Sequence, residues 1–138
     1  MANEIKRLKI RSELFFSDGE GEKEINETDT ECSFSSRDDG FLIRYSEGEG
    51  EALCAVRMLF SHGTLTVKRE GAVRSELKFR QGEKLVGTYC VGAYGFDASV
   101  LTKSLTVAHS LDGILIKLSY DMSLGGVERT CEMQIKLS

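Results

Sequence analysis

The chain has 138 residues, enough for one domain over residues 1–138 and too few for two of ordinary size; 41% of them are hydrophobic and 29% charged, as in a globular protein. With 18 basic residues against 22 acidic ones, the net charge of −4 argues against nucleic acid or an anionic membrane surface as partner, since both are bound through clustered Lys and Arg. No run of about 18 apolar residues exists for a transmembrane helix, and residues 1–10 lack the apolar stretch of a signal peptide, so a cytoplasmic location is expected.

Along the chain the hydrophobic period is two nearly everywhere, the pattern of strands with one buried and one wet face. Residues 8–16 read this way. Residues 18–31 differ: they carry seven acidic residues and one lysine among Gly and Thr, and we read them as a solvated charged hairpin. A cation site is the competing reading, but the ligand spacing of an EF-hand loop is absent. Residues 41–45 return to the strand pattern, and Glu47, Glu49 and Glu51 follow as solvating charges. Residues 52–60 are apolar on both faces except at Arg57: Cys54, Val56 and Met58 on one, Leu53, Ala55 and Leu59 on the other. They are either a strand covered on both sides or a surface for a partner or a second copy. Alternation resumes over residues 65–69, 73–79, 85–91, 96–104, 114–120 and 127–137.

Turn signals separate these runs. Asp18-Gly19, Asp39-Gly40 and Asp112-Gly113 are pairs that tolerate the positive φ of tight hairpins, and Gly-containing stretches near residues 62, 71, 82 and 125 fill the other gaps. Connections this short join antiparallel neighbours. The expected fold is therefore all-β, an up-and-down antiparallel barrel of about eight to ten strands, because closure removes the two edges that a flat meander exposes. Proline, one means of blocking an edge, is absent.

The segments LTVKREG (65–71), LKFRQGEKLVGTY (77–89), YGFDASVLTKSL (94–105) and GILIKLSYDMSLGG (113–126), with RYSE (44–47), resemble the YwiB-like family of small bacterial proteins. The resemblance covers roughly residues 40–138. It implies a calycin-type barrel, the class that includes lipocalins and fatty-acid-binding proteins, in a bacterial cytoplasm. The family has no established function and supplies no catalytic residue.

Motifs for chemistry are sparse. Cys32, Cys54, Cys90 and Cys131 form no closely spaced pair and read as reduced, buried thiols. His62, in a Ser-His-Gly turn, and His109, after a strand ending near Ala108, are candidate general bases by residue type, yet neither sits in a nucleophile motif. No phosphate loop occurs. The chain is expected to be no enzyme and to need no cofactor or metal. One anomaly stands out. The phase that buries Val127, Cys131 and Met133 also turns Arg129 inward, and the same logic turns in Tyr45, Tyr89, Tyr120, Arg69, Thr102 and Ser75. A lone interior arginine is costly unless paired or wet. Its guanidinium fork suits a carboxylate, so Arg129, Tyr45, Tyr89, Tyr120, Arg69 and Thr102 form the expected site for a small organic anion or lipid-like ligand. Pairing of Arg129 with Glu27 or Asp29, escape to solvent at the mouth, and a bulge that reverses its phase are the alternatives. A non-catalytic interaction or homodimerisation module is the alternative function.

Overall fold

The computed structural model describes residues 3–16, 23–37 and 39–138. The period-two segments form ten strands: β1 Glu4–Phe16, β2 Lys23–Arg37, β3 Gly40–Glu47, β4 Cys54–Ser61, β5 Thr64–Gly71, β6 Val73–Phe79, β7 Lys84–Val91, β8 Tyr94–Ser110, β9 Gly113–Leu124 and β10 Val127–Leu137. Each pairs antiparallel with its sequence neighbours, and β1 also pairs with β10, giving a closed up-and-down barrel. Closure runs from Leu8↔Leu137 to Phe16↔Arg129, and Arg7 and Ser138 extend it by exchanging backbone hydrogen bonds of 2.8 and 2.9 Å. Besides the strands, the described residues hold one 3₁₀ turn, Gly50–Ala52. No helix among the described residues is long and apolar enough to cross a membrane.

The alternation settles which side chains fill the barrel. Leu8, Ile10, Phe41, Ile43, Val56, Met58, Leu65, Phe79, Ile116, Ile135 and Leu137 point inward and form one core. One end is sealed by aromatic packing: the Phe41 ring lies 5.4 Å from Phe60 and 5.9 Å from Phe34 between centroids, and Leu65 and Leu137 are buried with it. At the far ends of the same strands stand Tyr45, Arg69, Ser75, Tyr89, Tyr120 and Arg129. The barrel is therefore apolar at one end and polar at the other.

Three expectations need correction. Residues 18–22, with the Asp18-Gly19 turn, lie outside the described residues. Residues 23–31, read as a solvated hairpin, are instead the first part of β2, a wall strand whose register with β1 runs Glu4↔Phe34 to Phe15↔Lys23. Glu27, Asp29 and Glu31 face outward, where Asp29 and Glu27 meet Arg7 (2.6 Å) and Arg11 (2.9 Å). Cross-strand ion pairs let an acid-rich sequence serve as a strand. Residues 52–60 do not form a strand covered on both faces. β4 starts at Cys54, buries Cys54, Val56 and Met58, and leaves Leu53 and Ala55 exposed. The strand read as residues 96–104 continues to Ser110, with a bulge between Thr102 and Ser104 that shifts the register against β9. The bulge swaps the phase, so that Leu105 and Val107 succeed Val100 and Thr102 on the inner face. His109 thus lies within β8, its ring edge-on to Phe41 at 6.4 Å.

Two turns require glycine for opposite reasons. Gly125 and Gly126 both take positive φ, 57° and 83°, as a two-residue hairpin of the favoured twist demands. Gly113 has φ 149°, and a Cβ there would fall 1.8 Å from the Leu137 carbonyl oxygen, inside the β9–β10 ladder. Gly113→Ala is expected to lower unfolding free energy by about 3 kcal/mol, and Phe41→Ala by about 3–5 kcal/mol through the cavity left in the aromatic seal. Urea titration followed by circular dichroism checks both.

Candidate functional site at the polar end of the barrel

Tyr45 near the end of β3, Arg69 in β5, Tyr89 in β7, and Tyr120 and Arg129 at the adjoining ends of β9 and β10 are brought to one end of the barrel by the register. Tyr45 pairs with Val56, Val56 with Arg69, Arg69 with Ser75 and Ser75 with Tyr89. On the other side Tyr120 stands beside Cys131 and Thr102, and Arg129 beside Met122 and Phe16.

These groups form two clusters. In the first, Arg69 Nε donates to Glu47 Oε1 at 2.6 Å, and the Tyr45 hydroxyl hydrogen-bonds the same carboxylate. Glu47, read from sequence as a solvating charge, is therefore an inward residue that neutralises Arg69. Continuing the phase of Phe41, Ile43 and Tyr45 by one step would have found it. In the second cluster the Tyr120 hydroxyl hydrogen-bonds Cys131, and its ring packs 4.7 Å from Phe79. Arg129 follows: its guanidinium lies 5.5 Å from the centre of the Phe16 ring, a cation–π distance. Arg69 lies within electrostatic reach of both Tyr45 and Tyr120, so the clusters are contiguous.

Arg129 stands in neither of the pairings weighed for it. Glu27 and Asp29 are on the outer surface with Arg11 and Arg7, and the bulge is in β8, so the phase of β10 stays intact. Among the described residues no carboxylate comes within 4.0 Å of its guanidinium, and its Nε is buried without a hydrogen-bond partner. Ser75 Oγ and Thr102 Oγ1 are buried and partnerless as well, Thr102 with no exposed surface at all. Each such group costs about 1–3 kcal/mol relative to a satisfied one.

A cavity of about 450 Å³ opens at this end. Tyr45, Arg69 and Tyr89 line it with Glu47, against the apolar side chains of Ile10, Met58 and Met133. Arg129, Tyr120 and Thr102 are not in its lining. The structure thus joins three of the six expected residues in one cavity, sets Tyr120 and Arg129 beyond Arg69, and leaves Thr102 in the wall.

Neither histidine lies here. His62 is exposed in the β4–β5 turn, its Nδ1 2.8 Å from Asp39 Oδ2. Ser61 Oγ also donates to Asp39, so the serine addresses the carboxylate and not the imidazole. Of the thiols, Cys32, Cys54 and Cys131 are buried and Cys90 half-buried, all unoxidised. Cys54 Sγ is tied to the Val73 backbone, pinning the start of β4 to that of β6.

Burial holds both interior phenols in their neutral form. It raises the Tyr120 hydroxyl far above the ordinary tyrosine range, Cys131 adding to the effect; at Tyr45 burial acts first and the Glu47 charge second. A phenol whose folded-state value is raised stabilises the fold fully below the unfolded value of about 10, and that contribution is lost as pH climbs above it. Alkaline unfolding is therefore expected above about pH 10. The phenolate absorbance of Tyr45 and Tyr120 should appear together with loss of the circular dichroism signal, and Tyr120→Phe should move the transition to higher pH.

A family model described as a domain of unknown function, DUF1934, matches residues 9–137. Among solved structures, the YwiB protein from Bacillus subtilis superposes with a TM-score of 0.84 over 99% of this chain and 92% of that one, at 20% identity. That agreement shows a shared fold and accords with the resemblance seen in the sequence. A structure of unknown function from Bacteroides ovatus aligns over 98% of this chain and 41% of that one, with a TM-score of 0.38 and 14% identity, too low to bear on the fold. No curated protein matches the chain.

Proposed function

We propose, for a chain that belongs to the DUF1934 family, that the barrel is a non-catalytic, calycin-like binder of a small, partly apolar organic anion in the cytoplasm. The observation that carries this reading is the charge balance of the polar end. Arg69 is neutralised by Glu47, while Arg129 is turned inward with its Nε buried, partnerless, and no described carboxylate in reach. Among the described residues one positive charge is left for a ligand to balance, so the fitting ligand is a monoanion. The cavity, about 450 Å³, falls within the range of small-molecule sites, roughly 300–1,000 Å³. Its apolar wall of Ile10, Met58 and Met133 suits a hydrocarbon or aromatic body. In this arrangement the anionic group extends past Arg69 toward Arg129, and Tyr45, Tyr89 and Tyr120 offer hydroxyls along the way.

Arg129→Leu discriminates. Native mass spectrometry of the purified protein is expected to show a small-molecule adduct that the variant loses. Titration with a panel of aromatic and medium-chain carboxylates should show affinity falling about tenfold or more, as for loss of a charge-assisted hydrogen bond of about 1.5–3 kcal/mol. The thermal midpoint should hold or rise, because leucine relieves a partnerless buried donor. A large stability loss with unchanged carboxylate binding, or a dimer without any adduct, overturns the reading.

A further inference from the structure

The barrel wall is closed unevenly. β2 pairs with β1 along nearly its whole length, but with β3 only from Ser33↔Arg44 to Arg37↔Gly40. Residues 24–32 have no backbone partner on their β3 side among the described residues, and Tyr45, Ser46 and Glu47 pair only with β4. Between them is a notch whose β2 bank is an unpaired strand edge about 30 Å long at roughly 3.3 Å per residue. Every second residue of such an edge presents its N–H and C=O outward. The polar-end cavity reaches this notch, because Asn26 and Thr28 of one bank and Gly48 and Ala52 of the other share its lining.

We infer that the notch is a docking site for an extended, basic segment of another protein, which adds a strand to β2 and completes the wall. The register dictates the chemistry of that segment. Along β2 the even-numbered residues face the cavity and the odd-numbered residues face solvent, as their pairing with Ile10, Ser12, Lys9 and Arg11 of β1 requires. A strand laid beside it alternates likewise. Its inward side chains enter a cavity walled by Ile10, Met58 and Met133 and so are apolar; its outward side chains meet acids on both banks. Glu27 and Asp29 are already held by Arg11 and Arg7, which leaves Glu31 on one bank and Glu49 and Glu51 on the other, all exposed, to meet lysines or arginines. The net charge of −4 favours the same partner at longer range. A second copy fits poorly, since two β2 edges side by side set acid against acid. Backbone ladder plus alternate pockets is the physics of strand addition. This goes beyond small-anion binding and stands on the strand edge, not on Arg129.

The probe is a labelled ten-residue peptide alternating lysine with valine, titrated into the full chain by fluorescence anisotropy, with amide hydrogen exchange read residue by residue. Saturable binding is expected, with slower exchange at alternate amides of residues 24–32. N-methylation of every second peptide amide, which keeps the side chains and removes the ladder, should weaken binding about tenfold or more. So should the double variant Glu31→Lys, Glu51→Lys, whose circular dichroism and thermal midpoint serve as the folding control. Equal binding of the N-methylated peptide overturns the proposal, as does protection elsewhere on the barrel, or a peptide-free dimer protected at residues 24–32.

Discussion

Pairing of β1 with β10 turns a ten-strand meander into a ring, and the other features follow from that closure. Once Leu8 meets Leu137, half the side chains of every strand share one interior, and that interior must be packed, hydrogen-bonded or filled. At one end Phe34, Phe41 and Phe60 pack it. At the other the inward positions carry Tyr45, Glu47, Arg69, Tyr89, Tyr120 and Arg129, and polar groups of fixed geometry do not fill space as hydrocarbon does. The cavity and the orphaned Ser75, Thr102 and Arg129 atoms are the consequence. The ring thus has a structural end and a chemical end, held in relation by the same ten strands.

The ion pair between Glu47 and Arg69 shows how closely charge is managed in that interior. Both side chains are partly exposed, 30% and 23%, so the pair contributes modestly to stability. Its larger effect is on selectivity. With Glu47 in place the arginine offers a balanced dipole to the cavity, and the cation without a carboxylate among the described residues is Arg129, against the Phe16 ring. Tyr45 and Tyr120 accept this because burial keeps their hydroxyls neutral, without adding charge.

Much of this was legible in the sequence, and the reason is periodicity. An alternation of two determines which side chains share a face, so the all-β class, the barrel and the inward phase of Arg129, Arg69 and the tyrosines follow from residue order. Where the reading failed, something non-local intervened. β2 was obscured because its outward acids look like a solvated loop until Arg7 and Arg11 are set across from them by pairing with β1. Glu47 was assigned to solvent by its charge, although its phase pointed inward. The β8 bulge leaves no mark in composition. Nor does alternation measure depth or shear: that Tyr45, Arg69 and Tyr89 line one cavity while Tyr120 and Arg129 stand outside it depends on strand tilt, which only the assembled ring defines.

Closure also bears on how the chain reaches this state. Nine of the strand pairings join neighbours in sequence and can zip progressively as hairpins, but the seam between β1 and β10 joins residues separated by most of the chain. Such a contact carries the largest loop-closure entropy, and it forms only after the intervening strands have shortened the effective loop. The seam is therefore a late event in folding. Until it forms, β1 and β10 both present bare edges at which growing chains can associate wrongly. The Arg7–Ser138 backbone bonds at the outermost point of the seam make these two residues the latch of the ring, and the time spent before that latch engages is the interval in which the protein is most exposed to aggregation.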